Sequence, residues 1–164
     1  ALATQLSCRG ITVTAVDNWQ PTFEIARRWF HLPSDVECVH ADALAFLRST
    51  SRQWSAIAVD LFQGAEIPEA VLMTGIESLL ARAVQPGGLI VWNVADSPSS
   101  WPAQWIAKAL RLKGLAPSMM SVMDGEAGNT LVICRNSATP APRIARPRDP
   151  TRVILSLPVR RDAV

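Results

Sequence analysis

Three carboxylate side chains stand at the ends of three apolar runs. Asp17 ends the run ITVTAVD, Asp42 follows CVHA, and Asp60 ends AIAVD. A fourth run, GGLIVWNV, has Asn93 near its end instead. Each run is typical of a buried parallel strand, and open α/β sheets bind ligands outside the carboxyl ends of their strands. The sequence therefore predicts a ligand crevice at one edge of one sheet.

The elements that must position these residues follow from the alternation of strand-like and helix-like patterns. The predicted helices cover 21–30, 43–48, 69–84 and 102–113, and the predicted strands cover 11–16, 36–40, 54–59, 89–94, 118–123 and 130–134. The last two strands are joined by a hairpin-length turn and should be antiparallel. The pattern predicts an α/β fold with a doubly wound, mostly parallel sheet, helices on both faces and a C-terminal antiparallel pair.

Composition limits the class of protein. The chain has 164 residues, of which 49% are hydrophobic and 18% charged, so it can bury the core of one ordinary domain. A net charge of +2 is too small to indicate nucleic acid as a partner. No apolar run approaches the length of a membrane span. Cys8, Cys38 and Cys134 have neither metal-ligand nor disulfide spacing, so we expect reduced, buried thiols in a cytosolic protein and no metal site.

Both ends of the chain differ in character from its body. Residue 1 is Ala, and the segment ALATQLSCRG is typical of a helix that ends at Gly10, so we expect that a preceding strand and turn are missing. From residue 136 onward the chain is rich in Pro and Arg. We therefore predict a domain over 1–135 and an extended tail over 136–164, in which TRVILSLPV is either an edge strand or unpaired. We expect this tail to be dispensable for cofactor binding.

Four segments carry a family resemblance. They are TAVDNWQPTFEIARRWFHLP, VHADALAFLRST, WSAIAVDLFQGAEIP and LARAVQPGGLIVWNV. In this order they resemble the class I S-adenosylmethionine-dependent methyltransferase superfamily, and within it the spermidine synthase-like group. The resemblance covers about residues 1–135. It implies a Rossmann-like fold whose first strand and Gly-rich cofactor loop are missing from this chain.

The resemblance implies a nucleoside site at the first two strand ends. Asp17, flanked by Asn18, matches the acid that accepts both ribose hydroxyls, and a carboxylate has two oxygens for such a diol. Asp42 and Ala43 match the pair that binds adenine through a carboxylate and a backbone N–H. For both acids the alternative is a helix N-cap. Trp19 either covers the adenine or packs on the surface.

Asp60 is the residue on which the chemistry depends. In spermidine synthases the corresponding strand end begins the loop Asp-Ser-Ser-Asp-Pro, whose first Asp is the proposed proton acceptor, so Asp60 is the predicted catalytic residue and also borders the cofactor. The loop of this chain has Gln63 in place of the second acid, and Glu66 and Pro68 follow in the predicted substrate loop. The chain has no tyrosine, although those enzymes use tyrosines around the polyamine. Both departures put polyamine specificity in question.

The resemblance implies transfer of an aminopropyl or methyl group from S-adenosylmethionine, or from its decarboxylated form, to a small acceptor, an amine above all. Polyamine biosynthesis in the cytoplasm would be the setting. Two alternatives stay open: a small-molecule methyltransferase on the same fold, and a degenerate domain without catalysis. The missing Gly-rich loop favours the second alternative. No membrane or nucleic-acid partner is expected, and a homodimer is left open.

Overall fold

Strands and helices alternate along the chain in a computed structural model that describes residues 2–64, 66–124, 127–137 and 152–156. The helices are α1 (Leu2–Ser7), α2 (Pro21–Phe30), α3 (Ala43–Ser49), α4 (Glu69–Leu72), α5 (Ile76–Ala83) and α6 (Trp101–Leu112). The strands are β1 (Val13–Asp17), β2 (Glu37–His40), β3 (Trp54–Asp60), β4 (Val84–Val94), β5 (Ala116–Asp124), β6 (Ala127–Arg135) and β7 (Arg152–Ser156).

All the described strands form one sheet in the order β2-β1-β7-β3-β4-β6-β5. Strands β2, β1, β7, β3 and β4 are parallel to their neighbours, and β6 is antiparallel to both β4 and β5. The predicted α/β class, with a mostly parallel sheet and an antiparallel C-terminal pair, is confirmed. The carboxyl ends of the parallel strands therefore share one edge of the sheet.

Strand β7 lies at the centre of the sheet, where the sequence led us to expect a tail. Its residues pair with β1 on one side and β3 on the other. Both interpretations of this stretch, an edge strand or an unpaired segment, are wrong for residues 152–156. The prolines and arginines before it indicated a tail, but the run RVILS has the β-branched composition of a buried strand. The rest of the predicted tail from residue 138 onward lies outside the described residues.

The position of β7 corresponds to a specific place in doubly wound sheets. In their common strand order the first strand lies at the centre, between the second and the fourth. If β1, β2 and β3 are counted as the second, third and fourth strands, β7 fills the place of the first. The last strand of the described residues thus occupies the position of the strand that the sequence predicts to be missing.

Two apolar clusters pack on opposite faces of β1. Val13 and Ala15 cluster with residues of α1 and α2, whereas Val16 belongs to a larger cluster that includes α3, α5 and α6. Because side chains alternate along a strand, these two sets lie on opposite sides of the sheet. The helices therefore cover both faces, as predicted. None of the helices in the described ranges has the length and apolarity needed to cross a bilayer.

Most predicted elements agree with the observed ones to within one to three residues at each end, and two differ by more. The single helix predicted over 69–84 is two helices, α4 and α5, because Gly75 has a left-handed backbone (φ 72°) and ends the helical path. Strand β4 begins at Val84, earlier than predicted, and its pairing register with β3 shifts across the Pro-Gly-Gly segment. Gly88 is required there, since a Cβ would lie 2.8 Å from the carbonyl oxygen of Gln85.

The three cysteines have different environments, so the prediction of buried thiols is correct only for Cys134. Cys134 is buried in β6, Cys38 is half-buried and Cys8 is exposed. Burial raises the pKa of the Cys134 thiol to about 11. Burial also raises the pKa of Cys38, although the nearby Arg27 opposes that shift. All three are free thiols.

We expect Ile154→Pro to destabilise the whole fold. Ile154 pairs with Ala15 in β1 and with Ala58 in β3, so a proline there removes an N–H from a strand that is bonded on both sides. The unpaired carbonyl should cost roughly 1–3 kcal/mol of unfolding free energy. Urea denaturation followed by circular dichroism measures it, with Ile154→Val as the control. A proline variant as stable as the valine variant would show that β7 is not part of the sheet in solution.

The cysteines should differ in their rates of reaction with a thiol reagent in the native protein. At pH 8 we expect Cys8 to react rapidly with a thiol-specific disulfide reagent, while Cys134 stays protonated and buried until the chain unfolds. Mass spectrometry of the modified peptides assigns each site. A Cys8→Ser variant should lose the fast phase and keep the slow one. Fast modification of Cys134 in folded protein would contradict its place in the core.

Candidate functional site

The register of the sheet places several polar residues in one row at its carboxyl edge. His40 pairs with Asp17, and Asp60 pairs with Ser156. Val16 pairs with Leu155, so Asp17 and Asp60 flank the end of β7 at the same level. Neighbouring strands are about 4.8 Å apart, so the Cα atoms of Asp17 and Asp60, two strands apart, are separated by roughly 10 Å. Asp17 and Asp60 therefore lie at the same edge of the sheet, on the two sides of β7, and the ligand crevice expected there stays a prediction.

Asp17 is the buried member of the row, with 3% of its surface exposed. Its Oδ1 accepts the backbone N–H of Trp19 at 2.8 Å. The alternative of a helix N-cap is not what is found, because the N-cap of α2 is Gln20 and no side chain caps that helix. Asp17 instead fixes the turn between β1 and α2. Trp19, in the same turn, is about half exposed at 47%.

Asp42 caps helix α3. Its Oδ1 accepts the N–H of Ala45 at 2.8 Å, so the N-cap alternative is confirmed for this residue. The backbone N–H of Ala41 bonds to the carbonyl of Asp17 at 3.0 Å, which joins the ends of β1 and β2. Ala43 is buried at the start of the helix, where backbone N–H groups lack intrahelical partners. A capping role and a ligand-binding role are compatible at this helix start.

Asn18 and His40 connect the turn after β1 to the end of β2. Nε2 of His40 lies 3.1 Å from the carbonyl oxygen of Asn18. The contact supports a structural role for His40, as the sequence suggests. His31, the other histidine, ends α2 in a left-handed conformation (φ 51°) and is structural as well.

Asp60 is exposed at the end of β3 and is held by a chain of amides. Nδ2 of Asn93 donates to Oδ1 of Asp60 at 2.9 Å, and Nδ2 of Asn129 donates to Oδ1 of Asn93 at 2.8 Å. The second oxygen of Asp60 accepts no hydrogen bond from the described residues. Asp60 is thus oriented through one oxygen, and the other can accept a proton.

A cavity of about 760 Å³ opens beyond the ends of β3 and β4. Two loop segments line it: Phe62, Gln63, Gly64, Glu66, Ile67, Pro68 and Glu69 on one wall, and Val94, Ala95, Asp96, Trp101 and Pro102 on the other. Three of these side chains are carboxylates and two are aromatic. None of the lining residues in the described ranges is Lys or Arg. The cavity therefore favours a cation, through both charge and aromatic faces.

The predicted substrate loop forms one wall of this cavity. Gln63 and Glu66 face each other across a tight turn, with N–H to carbonyl bonds of 2.8 and 3.3 Å. Gln63, Glu66 and Pro68 all line the cavity. The structure thus brings the three predicted loop residues together.

Sequence reasoning missed the opposite wall and the amide chain. Asp96 and Trp101 lie after β4, whereas the strand-end pattern in the sequence extends only to Asn93. Extending the strand-end rule by three residues would have found Asp96. Glu69 in α4 was assigned only to a helix. Asn129 gave no sequence signal, because its partner is 36 residues away on another strand.

The sequence comparisons give one distant relative. No family model matches the chain. A probable polyamine aminopropyl transferase from Bifidobacterium longum is 26% identical over 84 residues, which is 51% of this chain and 19% of that protein.

Solved structures share the fold. A probable spermidine synthase from Corynebacterium glutamicum has a TM-score of 0.59 at 20% identity, with 74% of this chain and 46% of that chain covered. The N-methyltransferase NodS from Bradyrhizobium japonicum, in complex with S-adenosyl-L-homocysteine, has a TM-score of 0.58 at 16% identity, with coverages of 82% and 83%. The chain has the fold of the class I S-adenosylmethionine-dependent methyltransferases, and its sequence is similar to the spermidine synthase-like branch of that superfamily.

Proposed function

We propose that this chain is the acceptor-facing part of a transferase that uses S-adenosylmethionine or its decarboxylated form and acts on a small cationic amine. The observation that carries the proposal is the acidic, aromatic cavity whose lining begins at Phe62, two residues after Asp60 in the chain. Asp17 and Asp42 follow the neighbouring strands β1 and β2 at the same edge of the sheet as Asp60. Under the proposal they bind the nucleoside, and Asp60 lies between the nucleoside and the acceptor.

The residues at the crevice fit a nucleoside by their chemistry. Asp17 and Asp42 supply carboxylate acceptors for hydroxyl and exocyclic amine groups, and the start of α3 supplies backbone N–H donors. Asp17 and Asp42 each already hold one backbone N–H, which fixes their orientation before a ligand binds. Binding to preoriented groups loses less conformational entropy.

Asp60 has the position and exposure of a proton acceptor. The bound sulfonium compound would supply an activated carbon next to a positively charged sulfur. A protonated nitrogen of the acceptor would first pass a proton to Oδ2 of Asp60, which frees its lone pair to attack that carbon. The sulfur would then leave as a neutral thioether, keeping the electron pair of the C–S bond. Asn93 holds Oδ1, so the carboxylate is oriented for this transfer.

Other acids of the cavity replace the negative charge that the loop lacks because Gln63 stands where spermidine synthases have a second acid. Glu66, Glu69 and Asp96 place carboxylates on both walls, and Phe62 and Trp101 offer aromatic faces. A cationic amine is thereby drawn next to Asp60 without the second loop acid and without tyrosine. The size of the cavity, about 760 Å³, suits a small molecule rather than a macromolecule.

Calorimetry with methylthioadenosine tests the nucleoside half of the proposal. Asp17→Asn keeps an oxygen for the N–H of Trp19 but removes the negative charge, so the fold should be retained. We expect its affinity for the nucleoside to fall by about tenfold to a hundredfold, the effect of one lost charged hydrogen bond. Asp60→Asn is the matched variant and should bind the nucleoside nearly as well as the unchanged protein. Absence of binding by the unchanged protein would refute the nucleoside site.

Neutralising the cavity should weaken the amine acceptor selectively. We expect Glu69→Gln and Asp96→Asn each to raise the KM for a diamine by about threefold to tenfold, because each removes one attractive charge from a partly enclosed cavity. Glu24→Gln, an acid in α2 outside the cavity lining, should leave KM unchanged. Mass spectrometry of the product distinguishes methyl from aminopropyl addition. Equal effects of the three variants would contradict the cavity as the acceptor site.

A further inference from the structure

We propose that Asn129 is a positioning residue for the carboxylate of Asp60 and acts through Asn93. The inference rests on the proposed function, in which Asp60 accepts the proton of the amine. Its basis is the pair of side-chain hydrogen bonds that joins the ends of β6, β4 and β3, with lengths of 2.8 and 2.9 Å. Neither asparagine lines the acceptor cavity.

The direction of the two bonds follows from charge. An ionised carboxylate can only accept hydrogen bonds, so Asn93 must present its NH₂ group to Asp60. The carbonyl oxygen of Asn93 then points away from Asp60 and needs a donor. Asn129 supplies that donor with its own NH₂ group. Asn129 thereby determines which end of the Asn93 amide faces the acid.

Asn129 lies in a strand that is hydrogen-bonded to a neighbour on each side. Strand β6 pairs with β4 on one side and β5 on the other, and Asn129 itself pairs with Val122. The next residue, Thr130, is fully buried, and its hydroxyl donates to the carbonyl oxygen of Asp96 at 2.6 Å. The same end of β6 therefore fixes Asp60 through one residue and a cavity wall through the next.

The amide chain matters because Asp60 is exposed. An exposed aspartate exchanges rotamers readily, whereas a donor on Oδ1 restricts the carboxylate to one orientation. The other oxygen then keeps a constant position relative to the acceptor nitrogen. Small misplacements of a proton acceptor reduce the rate of transfer more than they reduce binding.

Two substitutions at one position distinguish positioning from packing. Asn129→Asp keeps size and shape but replaces the donor with an acceptor, which favours a reversed Asn93 amide with its oxygen against Asp60. Asn129→Ala only removes the donor. We expect kcat to fall by about tenfold or more in the aspartate variant and less in the alanine variant, with the KM for the diamine changed by less than about threefold. If Asn129 only packed, the isosteric aspartate would be the milder change in the folded enzyme.

A control variant removes a different side-chain hydrogen bond to β6, near the other end of that strand. The hydroxyl of Ser118 in β5 donates to the carbonyl of Ile133 in β6 at 3.3 Å. Ser118→Ala should leave kcat unchanged. In an Asp60→Asn background, Asn129→Asp should have little further effect on residual kcat, because the acid that it positions is already lost.

A readout independent of turnover comes from the side-chain amide of Asn93 in ¹⁵N-labelled protein. Its two proton resonances, identified by their loss in Asn93→Ala, should shift in both Asp60→Ala and Asn129→Asp but not in Ser118→Ala. Unshifted resonances in Asn129→Asp, or an unchanged kcat, would overturn the inference. If the unchanged protein transfers nothing to any amine, the proposed function is refuted, and the NMR shifts alone decide whether Asn129 orients Asp60.

Discussion

Strand β7 provides the hydrogen bonds that connect the two parts of the sheet, β2-β1 and β3-β4-β6-β5. In the described residues β1 and β3 do not pair with each other, and each pairs with β7. Asp17 and Asp60 lie at the same edge of the sheet, two strand spacings apart, because this short strand lies between their strands. Without it, the β2-β1 pair and the β3-β4-β6-β5 group would have no shared hydrogen bonds. A segment from the far end of the sequence thus sets the spacing of the candidate nucleoside and acceptor groups.

The two central acids are held in ways that suit different tasks. Asp17 is buried and holds the turn that follows its own strand, so its position is determined locally. Asp60 is exposed, and within the described residues its side chain accepts a hydrogen bond from a neighbouring strand. A buried, locally bonded carboxylate is suited to constant recognition of a ligand group. An exposed carboxylate with one bonded oxygen is suited to exchanging a proton.

Local patterns predicted the elements well and their long-range partners poorly. The runs that end at Asp17 and Asp60 are correctly predicted as strands, because apolar, β-branched stretches indicate buried strands. The helix α2 was predicted with its observed bounds, since Pro21 marks its start. The position of β7 inside the sheet is not predicted, although an edge strand is, because its neighbours in sequence are prolines and arginines and pairing on both sides is a tertiary property. The amide chain from Asn129 was missed for the same reason, since it joins strands that are distant in sequence. The roles of Asp17, Asp42 and Asp60 toward ligands stay predictions.

The cavity after β3 is still acidic, although Gln63 replaces one acid of the loop. The spermidine synthase-like pattern concentrates acids within one loop, whereas this chain distributes Glu66, Glu69 and Asp96 over two walls. Coulomb attraction depends on distance and dielectric rather than on which segment carries the charge. A cation inside the cavity would therefore still be attracted, by a different set of residues. Hydrogen-bond geometry changes with such a rearrangement, so under the proposed function the preferred amine should differ in shape from the substrates that the loop pattern selects, while its positive charge should remain.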